Sequence, residues 1–238
     1  MLNQTFIYKG KRAKSKNIEL QSPLTISAAE PNYTEYKIPG RNGTIVEHDG
    51  TFKNRSILAS CYLLSNALER DIDAINAWLM SPFGYARFED SEDTKHFMLA
   101  RALYGIEKKT RGELLNPFTL EFDAKPQRFL KSGENAIKIV NGSILRNPTA
   151  FPALPIIQVD GFGDISIKIG SQTLQIFGLD GTIYYNSEND AAYNHTDSLD
   201  YMVNTSDKIE IPSGETSVTY SSTGEIRSVS IIPRWWEI

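Results

Sequence analysis

Short segments in which apolar and polar residues alternate recur along this 238-residue chain, and they constrain its fold more than any other feature. Residues 118–122 (FTLEF) and 165–169 (ISIKI) show the alternation most clearly. A period of two places one set of side chains on the buried face of a β-strand and the other set in water. Pairs that favour tight turns separate such segments: Asn42-Gly43, Asp49-Gly50, Asn141-Gly142, Asp180-Gly181 and Thr223-Gly224. The pattern predicts a mainly β protein, built as a sandwich or a barrel.

One segment departs from this pattern and has the period of an α-helix. Its apolar residues recur three or four positions apart: Leu64, Leu68, Ile72, Ile75 and Leu79. Asn66 is placed to cap the first turn, with Glu69 three residues later as in a capping box, and Pro82 requires the helix to end before it. The sequence therefore predicts one helix at about 64–80, with Trp78 beside the apolar stripe and packed into the core.

The charges divide the chain into two parts. Residues 1–128 carry 18 basic and 16 acidic side chains, whereas residues 129–238 carry 7 and 13. The change coincides with residues 125–128 (KPQR), so we predict two domains, 1–128 and 129–238. A basic run at 9–16 either faces nucleic acid or an acidic protein, or is solvated surface. An isoelectric point near 5.5 argues against a protein that binds duplex nucleic acid.

No arrangement of residues points to catalysis or to a resident metal. Cys61 lies in an apolar segment, where a thiol is a small core residue, and a catalytic thiol needs an exposed, electropositive setting. His48, His96 and His195 lack the spacing of zinc ligands. Acidic residues between 188 and 207 offer oxygen ligands for calcium, but their spacing fits no EF-hand loop and a solvated loop is the alternative. We expect a non-enzyme without catalytic, cofactor or metal sites.

The N-terminus lacks the apolar segment of a signal peptide, and no apolar run approaches the ~20 residues of a membrane helix. These features predict synthesis in the cytoplasm and no membrane partner.

Aromatic residues gather at two places in the second half of the chain. Three tyrosines flank the acidic stretch: Tyr184, Tyr185 and Tyr193. They would either form a platform on which sugar rings stack or be ordinary strand residues. Trp235 and Trp236 lie at the end of the sequence and would expose much apolar area if that end frayed. We expect both tryptophans to be docked, on the second domain or on a neighbouring chain.

Five segments carry a resemblance to a known family through their order and spacing. They are residues 36–43 (YKIPGRNG), 49–55 (DGTFKNR), 125–130 (KPQRFL), 147–155 (NPTAFPALP) and 233–238 (PRWWEI). Together they resemble the distal tail (Dit-like) proteins of the long non-contractile-tailed phages, or siphophages, that infect Gram-positive bacteria. The chain resembles the small type, because it has no segment long enough for the carbohydrate-binding modules inserted in longer members.

The resemblance implies a fold for each part of the chain. Family members have a tail-tube-like N-terminal β-sandwich or barrel with one helix and a protruding β-arm, which here corresponds to about 36–57. A galectin-like β-sandwich follows and corresponds to 129–238.

The resemblance also implies a structural role without enzyme activity. Family members form hexameric rings in the phage virion that join the tail tube to the tip and its receptor-binding apparatus, and the ring lines the channel for DNA, which is only passing cargo. The implied partners are other copies of the chain, the tail tube protein, the tape measure protein, a tail-tip or tail-associated lysin protein, and receptor-binding or baseplate proteins. Synthesis would take place in the cytoplasm of the bacterial host.

Arg41 is the one candidate for a contact between subunits, because it lies in the Pro-Gly-Arg-Asn-Gly segment of the implied arm; the alternative is a solvated turn arginine. Two other functions stay open. In the first, the second domain alone binds host cell-wall carbohydrate through the three tyrosines. In the second, the chain hydrolyses cell-wall polymer, a reaction for which no catalytic acid is identifiable.

Overall fold

The computed structural model describes residues 4–64, 68–107 and 117–238. The protein is mostly β-sheet, with one α-helix among the described residues, which confirms the predicted fold class. The chain forms two compact units, residues 1–128 together with Ile238 and residues 129–237. No described helix has both the length and the apolar character required to cross a membrane.

The first unit is a curved antiparallel sheet that packs against the helix α1 (Leu68–Met80). Its strands are β1 (Phe6–Tyr8), β2 (Lys11–Arg12), β3 (Ile18–Leu20), β4 (Thr25–Ile26), β5 (Pro31–Lys37), β6 (Thr44–Phe52), β7 (Arg55–Leu63), β8 (Ala86–Asp90), β9 (His96–Ala102) and β10 (Phe118–Ala124). The sheet has the order β2-β1-β8-β9-β10-β7-β3, and β4 pairs with β7. Strands β5 and β6 form a separate two-stranded sheet.

The helix closes the core of this unit. Ile72, Ile75 and Leu79 are buried, as the apolar stripe predicts, and Trp78 is 7% exposed and stacks on Phe6. In the same core, the rings of Phe6, Tyr8, Phe88 and Phe122 pack against one another, either stacked or edge-on. Such aromatic contacts add about 0.5–1.5 kcal/mol each to the stabilisation from burial.

The predicted start of the helix is wrong at Leu64. This side chain is exposed, and its backbone N–H donates to the carbonyl oxygen of Asn17 at 2.8 Å. Leu64 thereby continues the antiparallel pairing of β3 with β7, in which Ile18 lies opposite Leu63. Leu64 fits the helical spacing of apolar residues by coincidence, because its backbone N–H is hydrogen-bonded within the sheet. The proposed caps, Asn66 and the side chain of Glu69, lie outside the described residues.

The second unit is a twisted antiparallel sheet folded around its own core. Its strands are β11 (Arg128–Leu130, beginning at the boundary), β12 (Ile137–Ile139), β13 (Ser143–Asn147), β14 (Ile156–Ile169), β15 (Gln172–Asn186), β16 (Ala191–Tyr193), β17 (Val203–Thr205), β18 (Gly214–Ser222), β19 (Glu225–Ile232) and β20 (Trp236–Glu237). The order is β12-β19-β14-β15-β16; β18 joins β14 to β13, and β17 pairs with β15. Strands β11 and β20 pair with each other and are not part of this eight-stranded sheet.

Two of the predicted turns lie inside strands. Asp180-Gly181 falls in the middle of β15, where Gly161 pairs with Gly181, so the chain does not reverse there. Asp49-Gly50 falls inside β6, where the Asp49 carboxylate accepts the backbone N–H of Thr51 at 2.8 Å. Gly50 has a φ of +80°, so the pair makes a local bulge and not a reversal of the chain.

Both terminal tryptophans are docked on the second unit, as predicted. Trp235 is 5% exposed and belongs to the core of that unit. The Trp236 ring stacks on Phe151 at 4.5 Å, and its Nε1 donates to the carbonyl oxygen of Pro152 at 2.9 Å. These contacts tie residues 233–237 to the predicted proline-rich loop at 147–155.

Candidate functional site

Strands β5 and β6 form an exposed hairpin in a two-stranded sheet of its own. Tyr36 lies opposite Ile45 and Glu35 lies opposite Val46 in the antiparallel register. At the base, the backbone N–H of Lys53 donates to the carbonyl oxygen of Glu30 at 2.8 Å. The hairpin spans residues 31–52, so it begins earlier than the predicted arm at about 36–57. Residues 55–57 belong to β7 of the main sheet, where pairing with β10 holds them.

The hairpin presents apolar side chains to solvent. Val46 is 56% exposed, Tyr33 is 53% exposed, and Tyr36, Ile38 and Ile45 are each at least 40% exposed. A two-stranded hairpin alone is only marginally stable in water, and clustered exposed apolar groups mark interaction surfaces. The composition of the hairpin therefore favours packing against another protein surface.

Arg41 lies at the tip of this hairpin, in the reversal between β5 and β6. Its backbone N–H donates to the carbonyl oxygen of Ile38 at 3.2 Å, which closes the turn. The side chain is exposed, and within residues 4–64, 68–107 and 117–238 no ion pair to it is formed. Its guanidinium group is therefore free to meet a carboxylate of another chain.

A second polar cluster was not found by sequence reasoning. Asp93 Oδ2 accepts from Arg128 Nη2 at 2.7 Å, and Asp93 Oδ1 lies 2.9 Å from His96 Nδ1. Partial burial opposes ionisation of Asp93, but the hydrogen bonds from Arg128 and His96 outweigh it and lower the pKa of the carboxyl to about 2. The cluster fastens Arg128, the last residue of the KPQR segment, to the turn before β9. An Asp-x-x-His spacing was the only local signal of it in the sequence.

The acidic stretch between 188 and 207 is held by separate local contacts. The Asp200 carboxylate accepts the backbone N–H of Ala192 at 2.6 Å and the hydroxyl of Ser198 at 2.8 Å. Asp190 accepts from Tyr185, and Glu188 pairs with Arg234. Among the residues that the structure describes, no group of three or more His, Cys, Asp or Glu side chains is placed to hold a metal.

The three tyrosines of the sugar-platform hypothesis separate into two environments. Tyr184 and Tyr193 stack with ring centroids 5.6 Å apart, and His195 meets the Tyr184 ring edge-on. Tyr185 is 1% exposed, and its hydroxyl donates to Asp190 at 2.6 Å. Tyr185 therefore cannot touch a ligand, and only Tyr184 and Tyr193 stay available for stacking.

Cys61 is completely buried in the first unit, as expected for a core thiol. Burial raises the pKa of this thiol to about 12. The thiolate, which is the nucleophile in cysteine catalysis, is therefore strongly disfavoured.

Comparison with known proteins gives a match in structure only. No protein-family model and no curated protein matches the sequence. The SPP1 Dit protein, described as a paradigm of the hub adsorption apparatus in phages that infect Gram-positive bacteria, matches with a TM-score of 0.66 and 14% identity over 97% of each chain. The phage P2 baseplate in its activated conformation with calcium matches with a TM-score of 0.51 and 8% identity, again over 97% of each chain. The chain therefore has the fold of the SPP1 Dit protein along nearly its whole length.

Proposed function

We propose that this chain is a structural distal tail (Dit-like) protein at the tail tip of a siphophage that infects Gram-positive bacteria. The observation that carries the proposal is the match to SPP1 Dit over 97% of both chains. The five segments in family order support it independently, because a structural match at 14% identity conveys the fold alone. The role is structural and not enzymatic, and the protein belongs to the virion.

In this proposal, copies of the chain close into a hexameric ring that lines the DNA channel. The ring joins the tail tube protein and the tape measure protein to a tail-associated lysin protein and to receptor-binding or baseplate proteins. The exposed hairpin supports ring formation, since a closed ring needs a surface that fits a different surface of the next copy. The hairpin exposes Tyr33, Tyr36 and Val46 and offers such a surface. Packing it on a neighbouring copy would bury a large area although the hairpin has no core of its own.

The two units correspond to the parts of the implied family architecture. Residues 1–128 would be the tail-tube-like, ring-forming domain that carries the hairpin, and residues 129–238 the galectin-like domain. The curved sheet with a helix on its core, followed by an all-β unit, supports this assignment.

Light scattering tests ring formation, and Arg41→Glu tests the hairpin tip. The proposal expects a mass near six times 26.7 kDa for the wild-type protein and a smaller mass for Arg41→Glu. Arg70→Glu is the matched control, because Arg70 is also an exposed arginine of the first unit. If Arg41→Glu leaves the mass and stability of a ring unchanged, Arg41 makes no contact between subunits.

The second candidate function is binding of host cell-wall carbohydrate by the second unit. The stacked pair of Tyr184 and Tyr193 favours it, because aromatic faces pack against sugar rings. Calorimetric titration with host cell-wall saccharides separates the two functions. Binding that is lost in Tyr193→Ala, by a protein that stays monomeric, would favour the carbohydrate-binding function over the ring.

A further inference from the structure

Arg55 is a buried arginine whose charge has no compensating partner in the described part of the chain. It begins β7, is only 6% exposed, and its Nε makes no hydrogen bond. No carboxylate among residues 4–64, 68–107 and 117–238 forms an ion pair with it. Burying an unpaired charge is costly, so residues such as Asp and Arg are almost never buried without a partner.

The groups around Arg55 make its position more unfavourable. Burial lowers the pKa of Arg55, and the nearby positive charge of Arg128 lowers it further. Asp93, which could have neutralised Arg55, is hydrogen-bonded to Arg128 and His96. Asp90 accepts from the Gln4 side-chain amide at 3.0 Å. The carboxylates of Asp90 and Asp93 are therefore engaged by groups other than Arg55.

A cavity of about 540 Å³ in the first unit is open to solvent and is lined by Arg55, Arg128, His96 and these two aspartates. Most of the other residues in its wall are apolar, including Ile26, Phe88, Phe97 and Met98. At about 30 Å³ for each water molecule, this volume exceeds what a single inorganic anion fills. The apolar wall suits a hydrocarbon body attached to the charged group.

The wall of the cavity suits a carboxylate attached to an apolar group. Arg55 and Arg128 attract an anion, whereas Asp90 and Asp93 repel it, so the net charge of these four groups does not favour a dianion over a monoanion. Arginine binds a planar carboxylate with two parallel hydrogen bonds. A carboxylate on a hydrocarbon body therefore uses both Arg55 and the apolar part of the wall, whereas inorganic phosphate uses the arginine alone.

We propose that this cavity binds a carboxylate group carried on a short hydrocarbon body, with the Arg55 guanidinium as its principal partner. The carboxylate comes either from an acidic side chain of another copy of the chain or from a free organic acid. In both cases the chemistry of recognition is the same.

Thermal unfolding in increasing sodium butyrate, against sodium chloride at equal ionic strength, tests the site. The wild-type protein should show a saturable rise in Tm with butyrate beyond that with chloride, and phosphate should give a smaller rise. Arg55→Met should weaken butyrate binding at least about tenfold, in keeping with the loss of hydrogen bonds to a charged group. Arg70→Met, at an exposed arginine of the same unit, should bind butyrate as the wild type does.

A second measurement uses the wild-type protein alone, so its result does not depend on whether Arg55→Met folds. The Nε–Hε resonance of Arg55 in the wild-type protein should shift with butyrate along the same saturation curve. The absence of a saturable shift, butyrate binding in Arg55→Met within twofold of the wild type, or a stronger effect of phosphate would each overturn the proposal. These readings do not depend on ring formation, so they can fail while the proposed tail function stands.

Light scattering in saturating butyrate identifies the source of the carboxylate. A fall in the mass of an assembled wild-type sample identifies an acidic side chain of another copy, which butyrate displaces. An unchanged mass with saturable binding identifies a free organic acid.

Discussion

The indole Nε1 of Trp78 donates a hydrogen bond to the backbone carbonyl oxygen of Tyr8 at 3.1 Å, across 70 positions in the sequence. This bond joins the last turn of α1 to β1, and the two aromatic rings meet edge-on at 5.8 Å. The helix is thereby fixed to the sheet by one side chain that both fills the core and satisfies a backbone acceptor.

Replacement of Trp78 by alanine should lower the free energy of unfolding by about 3–5 kcal/mol, as for large aromatic residues in other cores. Urea unfolding followed by circular dichroism measures the change. Phe83→Ala, at a ring that is 68% exposed, should cost less than about 1 kcal/mol. A loss below about 1 kcal/mol for Trp78→Ala would show that the helix does not pack as described.

Cys61 should not react with iodoacetamide in the folded protein. With a thiol pKa of about 12, roughly one molecule in 10⁴ carries the thiolate at pH 8. The protein has one cysteine, so mass spectrometry reads its modification directly. Modification should be complete in urea and absent in buffer over the same interval. Reaction in buffer at the rate of a free thiol would contradict the burial of Cys61.

The Asp93 carboxylate should make stability depend on pH in the acidic range. Its pKa is about 2 in the folded protein and ~3.9 in an unfolded chain, so the folded state favours the ionised form. The resulting stabilisation is present above about pH 4 and is lost as the pH falls through about 2.

Asp93→Asn should therefore be less stable than the wild type by about 1 kcal/mol near neutral pH, and the difference should shrink towards zero near pH 2. Unfolding in urea at a series of pH values measures this difference. Asp180→Asn, at an exposed position of β15, should show no comparable dependence. A difference for Asp93→Asn that stays constant from neutral pH to pH 2 would contradict the assigned pairing with Arg128 and His96.

Removal of the hairpin should separate folding from assembly. Residues 31–52 pair only with each other in their sheet, and Glu30 and Lys53 already meet at its base. A variant in which Asn-Gly replaces residues 31–52 should keep its Tm within a few degrees, because the core of the unit contains none of these residues. Light scattering should then find a monomer. A ring of unchanged stoichiometry would show that the hairpin is dispensable for assembly.

The periodicity of apolar residues was the most informative signal in the sequence. It predicted the structure correctly where the burial of a residue depends only on the strand or helix in which it lies. The alternations at 118–122 and 165–169 match β10 and β14. Leu64 and Asp180-Gly181 were misassigned because partners distant in sequence determine their backbone: Asn17 in the first case and Gly161 in the second. Such pairings cannot be read from local patterns.

The candidate sites also differ in whether a local sequence pattern indicates them. Arg41 was identified from a local turn motif, and it does lie in an exposed turn. Arg55 is the last residue of the segment 49–55, and neither its burial nor the cavity beside it has a sequence signature. A buried arginine without a partner is recognised only after the positions of the surrounding carboxylates are known.

Negative-stain electron microscopy of the main peak from light scattering tests ring formation most directly. We expect closed rings of six subunits with a central hole, from a species near six times 26.7 kDa. Particles of monomer size at every protein concentration, without rings, would contradict it.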